Sequence, residues 1–393
     1  MFSAPISILS GLLLVVAIVA ALIAYFYGLR PYVRAASFEN PPLPDTPDVH
    51  RPKASVVLYC TSDEDTLLAA MDALSRQDYP NYEVVVVCDA GVEYASYISE
   101  RLAALYDNVY VTFVQPGSHN LSRPKLANTL GIKAAHGEII ITTIANIEAP
   151  DESWLSRLLA PFCGEQGKYI DVSLGLSKID FDQMRGPLRW YRQFDSVITN
   201  ALWIGYAAGG RPYRGDGYNL AFRRSIFFEQ KGYAKTIYLH HGEDDLFIRQ
   251  ISNGSNTRVV VDRPSIITTR WGESANRVWS MRKSRYDFTM RWLPRAPFFR
   301  AGVMMTTNWL VPGCAVAAAI LNPENLIPTI IGAVNTLMFW GMEIFHYRRL
   351  ASRLGAVRLW WAVVPFWMYR PIWNLLFKID HFRTRKKNFT WQR

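Results

Sequence analysis

Cysteine is scarce and scattered. The chain holds four, Cys60, Cys88, Cys163 and Cys314, and no two form a C-x-x-C pair. That spacing indicates neither a zinc site nor a disulfide framework, and reduced thiols suit a cytosolic setting for the polar part. Charge is also thin, at 19% of residues against 50% hydrophobic. The mean hydropathy near zero is too apolar for an ordinary soluble chain of this charge content. No internal repeat, low-complexity run or nucleic-acid-binding motif is present. The first residues lack the basic start that a cleaved signal peptide wants.

What is present is segregated. "PISILSGLLLVVAIVAALIAYFY", Pro5 to Tyr27, carries no charge, and Arg30 and Arg34 follow it. At ~1.5 Å per residue it reaches ~35 Å, enough for a hydrocarbon core of ~30 Å. An uncleaved membrane anchor is expected over residues 1–34, with the chain emerging on the cytoplasmic side by the positive-inside rule. Two more charge-free windows, Ala301 to Asn322 and Asn325 to Met342, predict two transmembrane helices within 301–346. The basic connector "HYRRLASRLGAVR" then belongs in the cytoplasm. A Trp-rich stretch, "LWWAVVPFWMYRPIWNLLF", is broken by Pro365, Arg370 and Pro371. With the basic tail it makes 347–393 an interfacial or re-entrant segment.

Net charge is +10 and localised. Arg270 to Arg300 holds eight basic and two acidic residues, and Lys378 to Arg393 holds six and one. Both stretches flank membrane windows, so anionic lipid headgroups are the expected partner and nucleic acid is not.

Between these lies an ordinary globular pattern. Residues 35–52, rich in Pro and Asp, read as a linker. From 53 to 270 short β-branched runs alternate with helical spacing: "ASVVLYC", "EDTLLAAMDALSRQ", "EVVVVCDA", "EYASYISERLAALY", "VYVTFVQ", "PKLANTLGIKAAHG", "EIIITTIA". Alternation of this kind predicts an α/β fold with a doubly wound, mostly parallel sheet. Its ligands are expected at the carboxyl ends of the strands, where "CDAG" and "IANIEAP" fall. A glycine-rich loop, "GGRPYRGDGYNLAF", follows, then the crowded acids of "HHGEDDLFIRQI". One or two of those acids are explained by capping the helix that starts there. Three crowded carboxylates also suit a rim where one removes a proton from a hydroxyl nucleophile. Residues 271–300 form a basic, aromatic segment of helical character.

These motifs together resemble the membrane-embedded family 2 glycosyltransferases, in the pattern of hyaluronan, chitin and cellulose synthases and of ceramide glucosyltransferase. The resemblance covers roughly Ser55 to Tyr286. It implies a GT-A-type mixed sheet, an inverting hexosyl transfer and a nucleotide-sugar donor, with a UDP-sugar expected. By the resemblance Asp244 is the general base with Glu243 beside it. Asp89, Lys125, Asn128, Asn146, Arg282, Arg285 and Tyr286 then contact the donor, and Gly217 and Asn219 the acceptor. Two departures stand out. Where the family carries a DxD motif this chain reads "IAN", Ile144 to Asn146, and Arg282 replaces the Gln of QxxRW. The Mg2+ or Mn2+ ion that the resemblance implies is therefore in doubt. Asn146 and Glu148 remain as candidate ligands, with Asp151 beyond them, although Mg2+ prefers carboxylates and phosphate oxygens. The alternative is that Lys125, Arg282 and Arg285 neutralise the diphosphate. Three membrane segments and an aromatic interfacial stretch point to a lipid or lipid-linked glycan acceptor. Processive polysaccharide synthesis, or an inactive nucleotide-sugar-binding subunit of a synthase complex, is the alternative.

Overall fold

The computed structural model describes residues 6–44, 49–60, 63–115, 122–148, 150–182, 184–271 and 274–388. Parts of the expected linker (45–48), basic segment (272–273) and tail (389–393) lie outside the described residues. The chain divides into two compact units, residues 38–189 with 206–293, and residues 1–37 with 190–205 and 294–393.

The first of these units is the α/β one. Its strands are β1 (Ala54–Cys60), β2 (Tyr82–Cys88), β3 (Val109–Phe113), β4 (Ile139–Ile144), β5 (Val172–Leu174), β6 (Ser177–Ile179), β7 (Leu220–Arg223), β8 (Thr257–Val259) and β9 (Ile267–Thr269). Seven form one sheet in the order β3-β2-β1-β4-β7-β5-β8. β1 runs parallel to β2 and β4, β2 parallel to β3, and β5 parallel to β8. β7 is antiparallel to both β4 and β5. The central strands are near-continuous Val and Ile because helices cover both faces: Val84 to Val87 and Ile139 to Ile141 are all buried.

Helices Glu64–Ser75, Val92–Ala103 and Arg123–Ala134 alternate with β1 to β4, as the periodicity predicts. Gly131 lets the last of these lie close on the sheet, since a Cβ there would stand 2.4 Å from Val57 and 2.9 Å from Val87. A second, two-stranded sheet pairs β6 with β9. An isolated bridge, Ile147 to Thr269, ties it to the segment leaving β4.

The other unit is helical. Helix Ile8–Ile23 passes through a five-residue π turn, Ala24–Gly28, before Arg30–Ser37. Helices Arg295–Ile320, Leu326–Arg353 and Val363–Asn388 follow late in the chain. Three helical stretches, Ile8–Gly28, Arg295–Ile320 and Leu326–Arg353, are long and apolar enough to cross a membrane, which is compatible with membrane association. Leu12, Val15, Leu337 and Met338 are each more than half exposed on them, an arrangement suited to lipid rather than water.

Small and polar residues join these helices. Ser10 donates to the Ala318 carbonyl at 3.0 Å, Asn308 to Glu343 at 2.7 Å, and Gly332 packs on Ala315. After a 3-10 turn at Trp360–Ala362, the Trp-rich stretch is one continuous helix from Val363 despite Pro371. Arg370 pins it to residues 190–205 through Asp195 at 2.8 Å and Thr199 at 3.1 Å, and Tyr191 packs edge-on against Phe366, Tyr369 and Trp373.

Candidate active site

The three adjacent acids have three different environments. Gly242, at φ 101°, turns the chain into the short helix Asp245–Ile251. Asp244 caps that helix, its carboxylate accepting the Asp245 N–H at 2.7 Å, and its side chain stays partly open to solvent. Asp245 points inward and is fully buried. Arg214 Nε lies 3.1 Å from its Oδ1, and the Thr289 hydroxyl donates to its Oδ2 at 2.6 Å. Arg214 also donates to the Tyr286 carbonyl at 3.0 Å and stacks 4.1 Å over the Tyr286 ring. Burial works to raise Asp245; the Arg214 charge is the largest opposing influence, and the pair holds Arg214 protonated. Asp245 thus fastens the acid loop to helix Ala275–Thr289.

Glu243 is almost wholly buried and lies 3.3 Å from Arg285. Burial raises the Asp244 carboxyl first, and the Glu243 charge adds to it, bringing Asp244 to about 6. The Asp245 N–H, Arg285 and Arg214 oppose the rise. Asp244 is thus a carboxylate poised to accept a proton near neutrality. Burial disfavours charge on Arg285, but Tyr218, Glu243 and Asp244 outweigh it and keep the guanidinium firmly protonated.

Gly217 is what allows Asp244 to sit here. A Cβ at Gly217 would come 2.7 Å from the Asp244 Cβ, and its carbonyl accepts from Thr142 of β4 at 2.8 Å. Asn219, two residues on, faces the interior. Its amide donates to the Leu176 and Ser265 carbonyls at 2.9 and 2.8 Å, and its oxygen accepts from Trp154 at 3.1 Å. Every bonding position of that side chain apart from one lone pair is used within the fold.

At the end of β2, Asp89 accepts from the Tyr59 hydroxyl on one oxygen and from Arg123 on the other, with Nε at 2.7 Å. Tyr59 reaches Asp89 from the neighbouring strand β1. Burial raises its hydroxyl, and it lies in the field of Arg123, Tyr218 and Arg285. Arg285 in turn donates to the Tyr218 hydroxyl at 3.3 Å. Direct contacts thus join Asp89 to Tyr59 and Arg123, and Arg285 to Tyr218 and Glu243, while Tyr59 and Asp244 each feel the Arg285 charge.

The other residues expected at the donor make the following contacts. Arg282 donates to the Ser177 hydroxyl and carbonyl at 2.9 and 3.2 Å, approaches Asp216 at 3.9 Å and covers the Tyr218 ring at 5.0 Å. Lys125 is sealed from solvent, its ammonium donating to the carbonyls of Thr236, Leu239 and His241 at 2.6, 2.8 and 3.0 Å. Asn128 donates to the Tyr233 hydroxyl at 3.3 Å.

The segment 144–146 and the acids after it do not fit a divalent cation. Ile144 offers no donor, and Asn146 offers one neutral side-chain oxygen. Glu148 is paired to Arg270 at 2.5 Å, and Asp180 approaches Nε of the same guanidinium at 4.0 Å. Asp151 accepts from the Ser153 N–H and hydroxyl at 3.0 and 2.6 Å. Among the described residues no group of three or more His, Cys, Asp or Glu side chains is placed to hold a metal.

Sequence reasoning missed Arg214, Tyr218, Tyr59, Arg123 and Arg270. Arg214 and Tyr218 sit in the glycine-rich loop, where two large side chains amid "RGDGY" were the available signal.

Residues 55–235 match the family model described as Glycosyl transferase family 2. No curated protein matches the chain. Among solved structures, the mannosyltransferase PcManGT from Pyrobaculum calidifontis, in complex with GDP-Man and Mn2+, aligns with a TM-score of 0.52 at 17% identity. The alignment covers 92% of this chain and 99% of that one. TarS from S. aureus aligns with a TM-score of 0.40 at 16% identity, over 87% of this chain and 56% of that one. The first likeness establishes a common fold.

Proposed function

We propose that this protein is an inverting glycosyltransferase that moves a sugar from a nucleotide-sugar donor to a lipid or lipid-linked glycan at the cytoplasmic face of a membrane. The observation that carries this reading is Asp244: a partly open carboxylate raised to about 6 in the field of Arg285, which itself bonds Tyr218 and pairs with Glu243. The match of residues 55–235 to the family 2 glycosyltransferases supports the same reading.

An acceptor hydroxyl attacks the donor's anomeric carbon while the bond to the diphosphate oxygen breaks on the opposite face. Asp244 takes the hydroxyl proton as the new bond forms, so a weakly basic carboxylate suffices. One displacement inverts the anomeric centre. Negative charge growing on the leaving diphosphate meets Arg285, whose guanidinium is held charged and whose position is fixed by Tyr218 and Glu243. Asp89, with Tyr59 and Arg123, receives the nucleoside. Because the residues in the DxD position do not suit Mg2+ or Mn2+, no step is assigned to a metal.

The membrane assignment rests on the three apolar helices and on the basic residues beside them, Arg30, Arg34 and those of 346–358, which orient the catalytic unit to the cytoplasm. The exposed Trp360, Trp361, Leu375 and Leu376 beside and on the aromatic helix suit the headgroup layer, where a lipid-borne acceptor lies.

The test is full-length protein in nanodiscs, supplied with UDP- and GDP-sugars and membrane lipids, with nucleoside diphosphate release and product mass as readouts. Release accompanied by a single-sugar lipid product is expected, and Asp244→Asn should abolish it while UDP or GDP binding persists. A ladder of products would make the protein a processive synthase. Binding without release from any donor would make it an inactive subunit.

A further inference from the structure

We propose that Lys125 is a positioning residue for the catalytic acids: its ammonium holds the segment Thr236–His241 in the shape that presents Glu243 and Asp244. The word catalytic here rests on the function proposed above; the anchoring itself does not.

An ammonium has three N–H donors, and burying it is costly unless each finds a partner. Here three carbonyls, of Thr236, Leu239 and His241, accept at 2.6, 2.8 and 3.0 Å. All three belong to a stretch with little regular structure of its own. A single short turn, Ala234–Thr236, precedes it, and it is bounded by left-handed residues, Lys231 at φ 59° and Gly232 at φ 51° on one side and Gly242 at φ 101° on the other. Such a path offers no sheet ladder or continuous helix to satisfy its carbonyls, although Thr236 also accepts the Leu239 N–H at 3.0 Å. One lysine gathers three of them.

The anchor behind that lysine is firm. Lys125 lies near the start of helix Arg123–Ala134, which Gly131 packs tightly onto Val57 and Val87 of the central sheet. One turn further along the same face, Asn128 takes hold of Tyr233 at 3.3 Å. The mechanical path therefore runs from sheet to helix, from helix through Lys125 and Asn128 to the loop, and from the loop through Gly242 to the acids. Electrostatics acts in the same direction. Burial lowers Lys125 to about 8, while the charges of Glu243 and Asp244 oppose that fall. With its three donors used and no exposed surface, Lys125 has nothing to offer a phosphate.

The experiment compares Lys125→Met, which keeps length without donors, with Lys125→Arg, which keeps charge and donors, both as full-length protein. Hydrogen exchange read by mass spectrometry should show faster exchange across residues 236–243 in the Met variant, with the central strands unchanged. A misplacement of the acids by about 1 Å should lower kcat about 10²-fold, with the affinity for UDP and GDP unchanged, and the Arg variant should recover part of that loss. If the Met variant does not fold, Lys125→Gln, which keeps two donors, supplies the same comparison. Wild-type exchange across 236–243 in the variant would overturn the anchoring, as would a loss of UDP and GDP affinity as large as the loss of kcat. If the wild type turns over no nucleotide sugar, the transferase reading falls while the exchange measurement still decides the anchor.

Discussion

The raised carboxyl of Asp244 makes a quantitative demand on the pH profile. Its folded-state value of about 6 comes from burial and from Glu243, against the pull of Asp245 N–H, Arg285 and Arg214. A general base works only when ionised, so activity must fall as pH drops through that value. About a tenth of the base is ionised at pH 5 and about a hundredth at pH 4, whereas a carboxylate at its ordinary value would be about nine-tenths ionised at pH 5. The acid limb of kcat/KM should therefore bend near pH 6 and drop tenfold per unit below it, for one proton. Glu243→Gln removes the like charge and should move the bend to lower pH. Arg285→Met removes a cation that favours the ionised form and should move it to higher pH, while also slowing the reaction at every pH. The assay is nucleoside diphosphate release at saturating acceptor from pH 4.5 to 8.5, with stability checked at each end. A bend near pH 4, or a bend at the same pH in all three proteins, would refute Asp244 as the base.

Three further outcomes follow from the same geometry. Gly217→Ala forces a Cβ to 2.7 Å from that of Asp244; turnover should fall by at least about tenfold while UDP and GDP titrations stay as in the wild type. Arg214→Met strands Asp245 in the interior and should cost about 3–5 kcal/mol in denaturant unfolding. Adding Asp245→Asn should return much of that, because the unpaired charge rather than the lost contact dominates. Because Ile144, Asn146 and the paired Glu148 make a poor ligand set, EDTA should leave sugar transfer unchanged. Activity that collapses with EDTA and returns only with Mg2+ or Mn2+ would refute this reading.

The sheet was legible because its signal is local and redundant. β2 is four consecutive valines between polar ends, and β4 three isoleucines; no other element suits such runs, and the helices between them carry their own periodicity. The short strands β5, β6, β8 and β9 were not separable by pattern, being three residues each and held mainly by partners distant in sequence. The acid cluster was legible as a cluster, and not as three separate jobs. Nothing in "GEDD" says that the last carboxylate turns inward, because Arg214 and Thr289, which receive it, stand 31 residues before it and 44 after it.

Basic residues were the hardest to read, and the reason is physical. A lysine or arginine has a long stem and several donors, so its role depends on which acceptors lie within reach of its tip, and those are set by tertiary packing. Lys125, Arg282 and Arg285 are alike in the sequence as cations near phosphate-binding motifs. In the fold Lys125 is used up on loop carbonyls, Arg282 is held by Ser177 and Asp216, and Arg285, the best placed toward Asp244, keeps 22% of its side-chain surface open. If the three cations shared the neutralisation of a bound diphosphate equally, removing any of them would weaken nucleotide binding alike. The geometry sorts them instead: Arg285→Ala should weaken UDP or GDP binding and slow transfer together, whereas Lys125→Met should slow transfer alone.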